Sequence, residues 1–262
     1  MQGLTNIDAS GRIHRAAVAL SIRQFKSLRS RIPDHLNKRM KRFRHSPGLL
    51  VALVLSNPLS ARAAASMVVD DASVTPRGQC QLEAWSRAMP ATAFSTLVPA
   101  CNVAGTEIAL GLTDVRHGTT SMDLGAKRVL RDPEQHVLGV AVSVGVQRSW
   151  QGARQRARYI TLPLTWSFGD AAATRLHVNA GVTATHAGPD TTNAGIGIEH
   201  AVTASWTLLG EAFGDDHRGQ GGQAGMRRMV GKASSIDLLV GRDRLNAPRG
   251  WITLGINLAM AP

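Results

Sequence analysis

A membrane-spanning helix needs about 20 consecutive apolar residues, and this chain contains no such run; the apolar stretch at 48–55 falls far short. From about residue 77 onward helical periodicity is nearly absent, which argues against a domain built of amphipathic helices. Cysteine is scarce. Cys80 and Cys101 are the two in the chain, and two cysteines cannot form the four-ligand cage of structural zinc. Aromatics are only 4% of residues, sparse for the Trp and Tyr girdles of a membrane barrel. No G-x-S-x-G, Walker or dinucleotide fingerprint occurs in a strand–turn–helix setting, and Gly195 and Gly197 form a G-x-G inside a strand pattern.

The net charge of +12 would ordinarily suggest nucleic acid. Its location removes that reading. Residues 1–65 hold 12 of the 30 Lys and Arg but only 2 of the 18 Asp and Glu, so 66–262 carries 18 bases against 16 acids. A polyanion-binding domain needs a basic patch that persists in the fold, so no nucleic-acid partner is expected.

The leader has the three parts of an export signal. Lys41, Arg42 and Arg44 precede the apolar core at 49–55, and Ala63, Ala64 and Ala65 supply a small-residue cleavage site. Cleavage is expected between Ala65 and Ser66, with Met40 as the start of the signal. Residues 1–39 then read as an upstream extension, disordered or helical, 40–65 as the signal peptide and 66–262 as one exported domain. Export places Cys80 and Cys101 where disulfides persist, and an even count favours a bridge between them.

From about residue 77 the dominant period is two. Leu138, Val140, Val142, Val144 and Val146 alternate with small residues, as do Ile252, Leu254, Ile256 and Leu258. The pattern predicts strands near 77–87, 92–100, 105–114, 119–130, 136–148, 155–168, 173–185, 192–201, 204–214, 222–231, 234–243 and 250–259, with 92–100 and 222–231 the weakest patterns. Pro163 implies an irregularity in its strand. Strands this long suit a tilted bilayer-spanning barrel, whereas sandwich strands are nearer 5–6 residues. The second face is rich in Gly, Ala, Ser and Thr, as a crowded lumen requires. The expected fold is all-β: an antiparallel up-and-down transmembrane barrel of about 12 strands. The alternative is a soluble periplasmic β-sandwich that binds a ligand.

Alternation also sorts the charges. Glu83, Glu107, Asp123, Lys127, Arg175, His177, Glu199, Glu211 and Asp237 fall on the inner face, with Arg227 a further base. They form either a neutralised, plugged lumen or an acid-lined path for cations and polar solutes. Trp150, Phe168, Trp206 and Trp251 lie near strand ends, where interface aromatics belong.

Asp70-Asp71-Ala72, Gly78-Gln-Cys-Gln-Leu-Glu-Ala-Trp85, Pro99-Ala-Cys-Asn102 and Glu107-Ile-Ala-Leu-Gly111, followed by repeated amphipathic strands, carry a resemblance. The exported part resembles Gram-negative outer-membrane β-barrels, loosely those grouped with the phenol meta-degradation pathway. The resemblance implies an outer-membrane location, contact with outer-membrane lipid and passage of small solutes, hydrophobic ones included. It carries over no catalytic residue, and the chain lacks the terminal aromatic of such barrels.

No cofactor, metal or enzymatic activity is expected. His117, His136, His177, His186, His200 and His217 include no pair spaced to place two ligands on one strand face. Glu199 cannot orient His200, because adjacent strand residues point to opposite faces.

Overall fold

The computed structural model describes residues 66–116, 118–150, 156–169, 173–186, 188–217, 219–231, 234–243 and 250–260. The upstream extension, the signal peptide up to Ala65, and His117 lie outside them.

Twelve antiparallel strands follow one another in chain order: β1 (Cys80–Ala88), β2 (Ala93–Val103), β3 (Thr106–Val115), β4 (Thr120–Arg131), β5 (Leu138–Ser149), β6 (Arg156–Phe168), β7 (Thr174–Thr185), β8 (Thr191–Thr203), β9 (Trp206–Asp215), β10 (Gly219–Val230), β11 (Ser234–Asp243) and β12 (Trp251–Met260). Each pairs with its neighbours, and β1 pairs with β12 from Cys80↔Met260 to Ala88↔Ile252, so the sheet closes on itself. Closure leaves no unpaired edge. One closed sheet excludes the two-sheet sandwich. The barrel's chain ends, Cys80 and Met260, meet at one rim, called here the terminal rim.

The weakly patterned β2 and β10 are full strands, held by ladders on both sides. Register shifts occur at Val129/Arg131 and Ala201/Thr203. At Pro163 the β7 ladder runs unbroken, with Pro163 opposite Asn179, while pairing with β5 lapses between Val140↔Leu164 and Ser143↔Thr161 without a change of register. Losing one donor thus interrupts a ladder locally but inserts no residue. The two-residue connection Ala104-Gly105 turns through φ values of 54° and 87°, the left-handed pair a two-residue hairpin needs.

The barrel is apolar outside and polar inside. Ile160 (53%), Ile196 (50%) and Leu254 (50%) are among the outward residues left exposed, whereas Glu107, Lys127, His177, Glu211, Arg227 and Asp237 are buried. A water-soluble fold has the opposite arrangement.

The disulfide lies on the outer face. Cys80 and Cys101 are direct cross-strand partners with Cα atoms 4.0 Å apart, bridged at the terminal rim.

Candidate functional site

The lumen is occupied by the chain's own segment 66–76, which runs along the inner wall before β1 begins. Its backbone has no ladder to join, so wall side chains take its polar groups. At the start, the Ser66 hydroxyl donates to Asp237 Oδ2 at 2.6 Å and Gln223 Nε2 donates to the Ser66 carbonyl at 2.8 Å. Glu211 then accepts the N–H groups of Val68 and Val69 at 2.9 and 2.7 Å. The Asn179 amide brackets Asp70, accepting its N–H at 2.7 Å and donating to its carbonyl at 2.8 Å. The Ala72 N–H reaches Thr165 Oγ1 at 2.8 Å. Finally Thr75 gives its N–H and hydroxyl to Glu107 Oε2, and Asn102 Nδ2 donates to the Thr75 carbonyl.

Glycines make room for this plug. A Cβ on Gly195 would lie 2.6 Å from Val69 Cγ2, and one on Gly197 would lie 2.9 Å from Met67 Cε. The G-x-G inside β8 is therefore a seat for the segment.

Ion pairs tie plug to wall and wall to wall. Lys127 Nζ donates to Asp70 at 2.8 Å and to Asp71 at 3.4 Å. Burial, the largest single influence, disfavours charge on Asp71, but Lys127 together with smaller contributions that include the Ser73 N–H and Arg175 outweighs it and holds the carboxyl below the ordinary carboxylate range. Arg227 forks onto both oxygens of Asp237 at 2.8 and 3.0 Å and reaches Glu199 at 3.1 Å. Such bidentate pairing is what a buried guanidinium requires. Arg175 pairs with Glu134 at 2.9 Å. Tyr159 donates to Asp123 at 2.9 Å.

Beside the plug remains a cavity of about 810 Å³. Asp71, Glu83, Glu107 and Asp123 border it, against Lys127 and Arg77. The Ser73 hydroxyl is buried at its edge with no partner among the described residues.

The structure places Glu83, Glu107, Asp123, Lys127, Arg175, His177, Glu199, Glu211 and Asp237 on the inner wall, but it does not gather them into one cluster. Glu199 faces in to Arg227, while His200, with Thr174 at 2.8 Å, is exposed. His177 is buried against Thr165 at 3.0 Å. No group of three or more His, Cys, Asp or Glu among the described residues is placed to hold a metal.

Trp150 (44%), Phe168 (48%) and Trp206 (37%) are exposed near the rims. Trp251 corrects the expectation. It is 6% exposed and turned inward, its Nε1 donating to Gln223 at 2.9 Å and its ring 4.6 Å from Arg87. The reason is parity: Trp251 shares its face with Thr253 and Asn257, opposite to Ile252 and Leu254. The same parity would have assigned Arg87 to the lumen with Glu83. Trp166 (44%), outward on the same face as Phe168, is a further exposed aromatic near that strand end.

The model of a protein family described as "Uncharacterised conserved protein UCP029691" matches residues 50–260. No curated protein matches the chain. Among solved structures, the KdgM porin in complex with disordered oligogalacturonate is similar with a TM-score of 0.59 and 9% identity, covering 69% of this chain and 99% of that one. The COG4313 outer membrane channel from Pseudomonas putida F1 gives a TM-score of 0.55 at 8% identity, covering 72% of this chain and 98% of that one. The likeness is one of fold.

Proposed function

The chain belongs to the UCP029691 family of uncharacterised conserved proteins, and from its geometry we propose an outer-membrane barrel that conducts small polar or cationic solutes through a plugged, acid-lined lumen. The carrying observation is the cavity beside the plug, bordered by Asp71, Glu83, Glu107 and Asp123 within a wall that is apolar only on its outside. Outward strands of 9–13 residues match the height of a bilayer's hydrocarbon layer when tilted. The low dielectric of such a wall focuses the field of its carboxylates on whatever enters. A polycarboxylate such as the oligogalacturonate named with the KdgM porin would meet like charge here.

Planar-bilayer recording under a salt gradient tests this reading. The expected result is a small conductance whose reversal potential favours cations, with selectivity reduced by Glu107→Gln and Asp123→Asn. A barrel that stays silent even after the plug is loosened would overturn it. That outcome would favour a structural envelope role, the reading supported by the ion pairs that fill the rest of the lumen.

A further inference from the structure

The outward face of β5 to β7 carries a basic cluster at the rim opposite the chain ends. Arg148 stands directly across the ladder from Arg156, and Arg158 follows two positions on, on the same face. The His186 N–H bonds the Arg156 carbonyl at 2.9 Å, which sets His186 alongside on the β7 side. All four are exposed. Among the described residues none of the four forms an ion pair. Asp190, the acid in the adjoining loop, accepts the Thr185 N–H at 3.2 Å.

Like charges directly opposite each other across two strands are destabilising. Nothing inside the barrel compensates these, because they point away from the lumen. What lies below them is apolar. Arg158 sits between Val146 and Ala184 across its two ladders, and the next row toward the barrel's middle is Val144, Ile160 and Val182, all exposed. Trp150 is exposed at the same rim just past β5. A compact positive group above an apolar strip is the complement of an amphiphile with an anionic head. At the terminal rim, by contrast, Arg128 on β4 and Arg228 on β10 are six strands apart, and Arg228 is stacked 4.8 Å from the Trp206 ring.

We propose that Arg148, Arg156 and Arg158, flanked by His186, bind the phosphate headgroup of an anionic membrane lipid whose acyl chain lies along Val144, Val146, Ile160 and Val182. The inference rests on the membrane-barrel reading but not on the lumen being open. Guanidinium forks take phosphate oxygens in pairs, and each arginine at an anionic membrane surface is worth about fivefold in affinity.

Native mass spectrometry of the full chain released from phosphatidylcholine nanodiscs tests it, with a minor fraction of phosphatidylglycerol or of diphosphorylated lipid A supplied. The unaltered protein should retain the anionic lipid over phosphatidylcholine. R148A/R156A/R158A should weaken retention by about a hundredfold, while R128A/R228A should leave it unchanged. Added inorganic phosphate should not displace the lipid. Equal retention by the triple variant, no preference over phosphatidylcholine, or displacement by inorganic phosphate would each overturn the site. Heat-modifiable gel mobility separates the two readings. An unaltered protein that never shows it sinks the membrane barrel and this site together; normal mobility without lipid preference sinks the site alone.

Discussion

The Ser66 hydroxyl rests 2.6 Å from Asp237 Oδ2, a contact made across 171 positions of sequence. Asp237 also holds Arg227 through both of its oxygens. One carboxylate therefore fastens the beginning of the plug and neutralises the buried guanidinium of the wall. The two duties differ in energy. Asp237→Ala leaves Arg227 with Glu199 alone and should cost about 3–5 kcal/mol. Ser66→Ala removes one hydrogen bond and should cost about 1 kcal/mol. Urea unfolding of the detergent-folded protein, followed by gel mobility, measures both, and equal losses would contradict this division.

Loosening the plug without touching the ladder should open the lumen. Lys127→Met removes the cation that holds Asp70 and Asp71. Gly197→Leu places a side chain where Met67 and Val69 now sit. Both should raise single-channel conductance, with strand content by circular dichroism unchanged. Conductance that stays at the unaltered level in both would mean that segment 66–76 does not obstruct the path.

The bridge on the outer face should matter for stability more than for passage. Cys80 and Cys101 close a separation of 21 residues, for which chain entropy gives about 3 kcal/mol. Cys80→Ser should lower the unfolding midpoint and loosen the first hairpin. The barrel should nevertheless stay closed, because β1 is also laddered to β12. Mass spectrometry after alkylation without reductant should find neither thiol modified in the native protein.

Processing is proposed to leave Ser66 as the first residue. Ser66, Val68 and Val69 are hydrogen-bonded to the inner wall, and a cut before Ser66 spares these contacts. Intact-mass measurement on envelope material should give a species starting at Ser66. A mature protein retaining the Arg-rich residues 1–39 would refute both the cleavage point and the later start.

Period two was enough to place most of the barrel. A side chain's face in a strand follows from its parity alone, so Glu107, Lys127 and Asp237 could be assigned inward from local pattern. Ile160 and Leu254 could be assigned outward by the same rule. Trp251 shows the rule being set aside: position near a strand end suggested an interface aromatic, while its parity with Thr253 already placed it inside. The Cys80–Cys101 pairing was legible for a related reason, since the start of one hairpin strand faces the end of the next.

The plug was not legible. Residues 66–76 carry no period, and the wall partners that hold them, such as Asn102 and Glu107 for Thr75 and Asp237 for Ser66, lie 27 to 171 positions away. The sequence by itself determined strand number and the two faces, because each depends on neighbours one or two residues apart. Tertiary structure decided the closure of β1 on β12, the path of the plug over Gly195 and Gly197, and the meeting of Arg148 with Arg156. These depend on which distant strands stand side by side, and a local pattern of polar and apolar residues carries no such information.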